Sequence, residues 1–379
     1  MVEDSAARER LLIVGASVRA AAFSAASAGW RPRAIDLFAD ADTRCVAEAR
    51  AVSRYPDELA EQADELEAGV WMYTGGIENH PQVVDRISRR HRLLGNTSET
   101  LVSVRDPAAW EARLRGLGVN VPRAWFSAAE PPPNVACLKK HRRSSGGSRV
   151  AAWNGEELES CWYLQERIAG ESAAAAFVAA AGSAVFLGAT SQRIGRAHGG
   201  EATFAYAGST YPAQVFSDAE EAMRRVGTIA ARAGVVGVFG VDFIVHGDEA
   251  WPIEVNPRYT ASMEVLERAG LPSAVGLHVR ACRDRSLPPA DAWRLAGAAA
   301  KRIVFATRPL VIDERFTRRC FERNEKREWP VIADIPTPGT ALFKGQPVLT
   351  ALASGQTREG VEAELRAILA EVDGWMADA

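Results

Sequence analysis

The stretch from Gly237 to Tyr259, GVFGVDFIVHGDEAWPIEVNPRY, constrains this chain more than any other. Val238 to Val245 is β-branched and aromatic, His246, Gly247 and Asp248 interrupt it, and Trp251-Pro252-Ile253 resumes the pattern. This pattern predicts a β-hairpin with Asp242 on its first strand and Glu254 and Asn256 on its second. Side chains alternate along a strand, so Glu254 and Asn256 share a face. A register that sets Asp242 opposite them gathers three oxygen-bearing side chains at one spot. Two carboxylates so placed repel unless positive charge offsets them. A hard cation does this directly, because Mg²⁺ takes oxygen ligands and keeps positions open for substrate phosphates. The alternative is an ordinary hairpin with its acids in solvent. The rest of the chain decides between them.

The chain opens on RLLIVGASVRAAAFSAASAGW, a short strand, a turn at Gly15 and an alanine-rich helix, and RAIDLFADAD supplies a second strand ending near Asp36. That β-α-β start belongs to a doubly wound sheet. A nicotinamide fingerprint would need glycines where Ser17 and Ala20 stand, so Asp36 reads as a strand-end residue. A further strand, GVWMYTGG, leads to the helix within IENHPQVVDRISRRHRLLGN, and the helix DPAAWEARLRGLG ends at Gly118. The proline-rich VPRAWFSAAEPPPN then marks a domain boundary near residue 122.

VACLKKHRRSSGGSRVAAW changes character: a strand with Lys139 and Lys140, a loop of Arg, Ser and Gly, and a return strand. Amides of such a loop can approach phosphates, and a strand-borne lysine can neutralise them. An exposed basic hairpin tip is the alternative. The lysines precede the glycines, so this is not a P-loop. Next come the strand of CWYLQERIAGES, ending in Gln165-Glu166, and an amphipathic helix capped by Ser217 and stopped by Gly234. From about residue 295, AKRIVFA and EWPVIADIP read as strands, TPGTALFKGQPVLT as turns, and a last helix starts near Thr357.

A chain of 379 residues is long enough for two to four domains. Its 47% hydrophobic and 25% charged residues suit a globular protein, and a net charge of −3 argues against a nucleic-acid or membrane surface. The five cysteines and six histidines are scattered, which argues against disulfides and a zinc centre. The first ten residues are charged, and the apolar run Ala173 to Ala181 is nine residues, far below spanning length. The expectation is a cytoplasmic protein with no membrane or nucleic-acid partner.

The order of these parts resembles the ATP-grasp superfamily of carboxylate–amine and carboxylate–thiol ligases, over essentially the whole chain. The last third, ADIPTPGTALFKGQPVLTALASG, looks like the C-terminal portion of biotin-carboxylase-related members. Within the superfamily the chain resembles the ATP-dependent carboligases found near tetrahydromethanopterin and methanofuran genes. The resemblance implies an α/β fold in four parts: a Rossmann-like domain over 1–121, a small lid lobe over 122–166, a large lobe with the metal site over 167–294, and a C-terminal domain over 295–379.

It also implies roles. Lys139 matches the phosphate-binding lysine; Lys140 stands where many relatives have proline, which leaves either lysine to reach ATP. Gly146, Gly147 and Ser148 match the loop that closes over the triphosphate. Glu166, Arg167 and Ile168 match the hinge that reads adenine, and Glu171 the acid that holds the ribose hydroxyls. Asp242, Glu254 and Asn256 match the Mg²⁺ ligands, and Arg258 the arginine that steadies the reacting phosphoryl or acyl phosphate. Many relatives carry a second ATP lysine in a GDK-like stretch, where VRDPAAW has Pro107. Arg105 either supplies that charge or is an exposed arginine at a helix start. Glu78 and Asn79 either resemble a loop facing the acceptor site or simply begin a helix, where the dipole favours an acid.

The implied reaction joins a small-molecule carboxylate to an amine through an acyl phosphate, consuming ATP with Mg²⁺. A homodimer is left open as the assembly. One rival is bicarbonate activation, and another is a non-catalytic nucleotide-binding regulator. Biotin carboxylases place a glutamine two residues and a glutamate four residues after the strand's arginine. Here NPRYTAS has Thr260 and Ser262 at those positions, and neither takes a proton near neutral pH. Glu264, two residues on, would substitute only if the strand ended early.

Overall fold

The computed structural model describes residues 9–126, 131–132, 134–195, 202–213 and 217–378, with the side chain of Ser217 left out. Part of the proline-rich join, most of the charged N-terminal stretch and the cap expected from Ser217 therefore lie outside the described residues.

Leu11 to Val14 are all buried, a continuous apolar run suited to a parallel strand covered on both faces. That strand, Arg10–Val14, sits at the centre of a five-stranded sheet in the order Glu48–Ala51, Arg31–Asp36, Arg10–Val14, Val70–Tyr73, Arg92–Leu93. Every pairing in it is parallel. The chain leaves the central strand first to one side and then to the other. The turns after Val14 and Tyr73 therefore flank a switch point, where open α/β sheets form their crevice. Asp36 closes the second strand: its carboxylate accepts from the backbone N–H groups of Val18 (2.9 Å), Phe38 (3.0 Å) and Ala39 (2.7 Å).

A four-stranded antiparallel sheet follows, in the order Ala124–Trp125, Trp162–Glu166, Cys137–His141, Val150–Ala152. The chain then enters an eight-stranded antiparallel sheet. Its order is Glu249–Asn256, Gly237–His246, Glu171–Ala180, Ser183–Ile194, Tyr206–Tyr211, Ala298–Phe305, Pro347–Gly355, Ile332–Ala333. The last three of these strands come from the C-terminal part, so the large sheet runs across the boundary drawn at 294/295. The segment EWPVIADIP contributes only the two-residue strand Ile332–Ala333.

The helix Ser217–Arg232 covers one face of the large sheet, where Phe177 stacks on Phe239 at 5.0 Å. Full burial of each ring contributes about 2 kcal/mol. Gly227 permits that approach, since a Cβ there would lie 2.5 Å from the Phe177 ring. The other face is covered by Ala261–Arg268 and Ala274–Arg283, which share a core with the first domain's helix Arg19–Ser27. Charge reinforces that seam. Arg19, 2% exposed, ion-pairs with Glu264 and Asp334, and Lys301 reaches Glu264 at 3.0 Å. Three remote stretches of chain thus meet on one guanidinium. Among the described residues no helix is long and apolar enough to cross a membrane, and the five cysteines are free thiols.

His278 ties the first domain to the acidic hairpin. One ring nitrogen meets the Leu94 carbonyl oxygen at 2.9 Å, and the other accepts from the Val238 N–H at 3.0 Å. The bond from Val238 needs the neutral ring, and burial lowers the ring's pKa from 6.5 to about 4. The unfolded chain then binds the extra proton across that interval, so stability falls as pH drops from about 6.5 toward about 4. Urea unfolding should lose about 2 kcal/mol from this group between about pH 7 and pH 5. His278→Asn should be less stable at neutral pH with a flatter pH slope; an unchanged slope would contradict the assignment.

Candidate active site

The hairpin forms as its alternation requires, with Gly247-Asp248 as a two-residue turn and Gly247 at φ +59°. Its register sets Asp242 opposite Glu254 and Gly240 opposite Asn256, with a bulge between Asp242 and Phe243. Pro252 is tolerated because Glu249–Asn256 is the edge strand and the irregularity lies beside it. The hairpin thereby gathers its two carboxylates and one amide on one face. Asn256 Nδ2 donates to Asp242 Oδ2 at 2.9 Å, and Gln192 Nε2 to Asp242 Oδ1 at 2.9 Å.

Cations from three segments surround this cluster. Arg258 donates through Nε (2.9 Å) and Nη2 (2.7 Å) to Glu78 Oε1, and through Nη2 to Asn256 Oδ1 at 3.1 Å. Arg105 ion-pairs with Glu254, donates to Asn79 Oδ1 at 2.9 Å and reaches the Ser144 carbonyl oxygen at 3.0 Å. It is the last residue of the helix Ser98–Arg105, with its side chain 10% exposed. Pro107 starts the next helix, with Asp106 as its cap. Lys140 is buried, and its Nζ donates to Gln165 Oε1 at 3.1 Å. Burial alone would lower its pKa, but Tyr163, Glu254 and Asp242 carry it above the ordinary value.

Lys139 points elsewhere, as neighbours on a strand must. Its ammonium pairs with Glu156, pulling that carboxyl down to about 2, and lies over the Trp162 ring. The structure brings Lys140, and not Lys139, to the carboxylates.

The acids carry the imprint of the cluster. Asp242 is pushed up to about 6, first by burial and then by Glu254, against the pull of Arg258, Gln192 and Asn256. Burial would raise Glu78 as well, but Arg258 and Arg105 hold it below the usual carboxylate range. Asp242 is thus a carboxylate short of positive charge. Among the described residues no three His, Cys, Asp or Glu side chains assemble as a metal site. Two carboxylates and an amide nevertheless fit Mg²⁺, which takes one or two carboxylates and fills its shell with water and substrate phosphates. The fit rests on the donor set: Asp242 and Glu254 face each other across the register with Asn256 beside them, and a divalent ion there would offset their repulsion.

The Gly-rich loop closes over this face. Gly146 and Gly147 have φ of +60° and +73°, and a Cβ on Gly147 would lie 1.8 Å from the Phe204 carbonyl oxygen. Ser148 Oγ donates to the Ser145 carbonyl oxygen at 3.0 Å. The loop is also tied to the first domain: Asn79 Nδ2 donates to Ser144 O at 3.2 Å, and Ser145 Oγ to Glu78 Oε1 at 3.4 Å. The cleft lined by Arg105, Lys140, Tyr163 and Glu254 encloses about 40 Å³, room for a few waters.

Glu166, Arg167 and Ile168 lie where the chain passes from the four-stranded to the eight-stranded sheet. Glu166 pairs with Arg123 at 3.0 Å, and Arg167 N donates to the Ala136 carbonyl oxygen at 2.9 Å. Glu171 is exposed at the start of its strand. These residues are not brought into the carboxylate cluster. Beyond the hairpin, Thr260 and Ser262 hydrogen-bond each other at 2.9 Å. Glu264 lies on the helix Ala261–Arg268, where Arg19 and Lys301 overcome the effect of burial and hold it far below the usual range. Gln192, Gln165 and Tyr163 join the site with no local signal in the sequence.

Residues 104–262 match the family model described as the ATP-grasp domain. An ATP-grasp domain occupies that part of the chain. No curated protein matches its sequence. Its fold is similar to that of a biotin carboxylase from Campylobacter jejuni, solved as a β,γ-ATP complex, with TM-score 0.69 and 14% identity over 93% of this chain and 89% of that one. A dimer of the biotin carboxylase domain of Hydrogenobacter thermophilus 2-oxoglutarate carboxylase, solved with MgADP, ADP and bicarbonate, has TM-score 0.70 and 12% identity over 94% and 88%. N5-carboxyaminoimidazole synthetase from Staphylococcus aureus, complexed with ADP, has TM-score 0.69 and 16% identity over 95% and 96%. The α/β ATP-grasp fold is thereby shown, with its N-terminal parallel sheet and the antiparallel sheets of the grasp lobes.

The two lysines give a direct check on the geometry. Calorimetric MgATP binding should weaken at least about tenfold in Lys140→Met and less than about threefold in Lys139→Met. The reverse order would put Lys139 at the phosphates.

Proposed function

We propose that this protein is an ATP- and Mg²⁺-dependent carboxylate–amine ligase that forms an amide through an acyl phosphate. The observation that carries the reading is the Asp242–Glu254 pair, raised in Asp242 and ringed by Arg105, Arg258 and Lys140. Asp242, Glu254 and Asn256 would hold Mg²⁺, which when bound neutralises nucleotide phosphates. Lys140 supplies a phosphate-facing charge, with Lys139 held back on Glu156. Amides of Gly146, Gly147 and Ser148 reach the triphosphate. Glu166, Arg167 and Ile168 line the adenine end, and Glu171 takes the ribose.

The substrate carboxylate oxygen attacks the γ-phosphorus, and the bond from that phosphorus to the ADP oxygen breaks. An amine nitrogen then attacks the acyl carbon, the carbon–oxygen bond to phosphate breaks, and the amine proton leaves to solvent. Such transfers need positioning and charge neutralisation rather than a protein nucleophile. Arg258 meets that need, because its guanidinium is fixed between Asn256 and Glu78. Arg105 serves as counter-ion to Glu254. The resemblance to methanofuran- and tetrahydromethanopterin-associated carboligases supports a C1-carrier cofactor as the pathway.

A second reading, bicarbonate activation, draws support from the likeness to biotin carboxylase and N5-carboxyaminoimidazole synthetase. The base it needs is lacking at the expected positions. Thr260 and Ser262 satisfy each other, and Glu264 is committed to Arg19 and Lys301. In carbonate-depleted buffer, ADP release should persist and depend on an amine acceptor. Turnover that vanishes there and returns with bicarbonate alone would establish carboxylation instead.

A further inference from the structure

A ligand-sized cavity lies apart from the carboxylate cluster. It encloses about 380 Å³, against about 40 Å³ in the cleft beside Lys140, and small-molecule sites begin at about 300 Å³. Its inner wall is the helix Ala274–Arg283, which presents Leu277 and Arg280, three positions apart and so on one face. Its outer wall comes from the segment 284–297, which forms neither helix nor strand on its way to the strand Ala298–Phe305. A connection that long is uncommon and is usually either functional or disordered. This one is tied down.

Arg285 turns the segment at φ +54°, Ala292 N donates to the Pro289 carbonyl oxygen at 3.1 Å, and Ala296 N donates to the Ala269 carbonyl oxygen at 2.7 Å. Leu287, Trp293 and Leu295 pack against the core that the helix shares with the first domain. Pro288 and Pro289 stiffen the stretch between, since each ring fixes φ. The apolar walls are therefore preformed. One charge lines the cavity, and it is positive. No described acid pairs with Arg280, whereas Arg283, three positions on, pairs with Glu9 at 2.7 Å. Ser286 adds a hydroxyl donor.

We propose that this cavity binds a small aryl carboxylate, with its ring against Trp293 and the prolines and its carboxylate on Arg280. A guanidinium is a planar fork that meets a carboxylate with two parallel bonds. An inorganic anion would leave the apolar walls unfilled, a neutral ring would forgo the one charge, and an amine would be repelled by it. The cavity shares no lining residue with the metal hairpin or the Gly-rich loop, so its ligand is separate from the reactants. The helix still connects the two places. His278 follows Leu277 and bonds the Leu94 carbonyl oxygen and the Val238 N–H. A ligand here sits on the helix that also holds the first strand of the metal hairpin, which is the position of an effector.

Saturation-transfer NMR of the full chain with 2-naphthoate tests this. Saturable binding is expected, with affinity lowered at least about tenfold in Arg280→Gln, which changes an exposed side chain. Ala292→Trp, which fills the cavity from an exposed position, should abolish binding. The neutral isostere 2-naphthamide should bind at least about tenfold more weakly, and excess MgADP should not displace the naphthoate. No saturable binding to the wild type, equal affinity in Arg280→Gln or in a folded Ala292→Trp, equal binding of the amide, or displacement by MgADP would each overturn the proposal. A solution dimer that Ala292→Trp dissociates would assign the cavity to a second copy of the chain and overturn it as well.

Discussion

Two carboxylates face each other across one antiparallel register, Asp242 against Glu254, and much of the site answers the repulsion between them. Like charges at that spacing in a buried place raise a pKa or demand a cation, and both responses are present. Asp242 is raised, and Arg105, Arg258 and Lys140 are drawn in from three different segments. Three acids and three bases leave the site close to neutral.

The buried ion pairs also explain how remote stretches of chain act as one body. Glu78 of the first domain pairs with Arg258 beyond the hairpin, and Arg19 of the first helix meets Glu264 and, from the C-terminal part, Asp334. Such pairs give little net stability compared with apolar packing, but breaking one by removing a partner leaves a charge uncompensated. They fix orientation. The Arg19 network sits behind the site and commits Glu264 to structure, while the Arg258 pair sits at its front.

The features that follow a short period were legible in the sequence. The hairpin shows itself by alternation and a turn glycine, the opening sheet by its apolar run and Gly15, and the basic hairpin by a strand, a Gly-rich loop and a return strand. What depends on pairing across long separations was not. Nothing near Arg105 announces Glu254 149 positions on, and nothing near Gln192 announces Asp242. The choice between Lys139 and Lys140 turns on strand phase, and both face plausible acids. The joining of Ala298–Phe305 and Pro347–Gly355 to the large sheet was equally hidden, because each strand reads the same whether it extends a sheet or begins a new one.

The central claim is that Asp242, Glu254 and Asn256 form a divalent-cation site completed by nucleotide phosphates. Electron paramagnetic resonance of Mn²⁺, which shares the oxygen preference of Mg²⁺, tests it most directly. With ADP present, the account predicts about one bound ion per chain, with affinity lowered at least about tenfold in Glu254→Gln and when ADP is left out. Mn²⁺ bound equally well by the variant, or equally well without nucleotide, would contradict it.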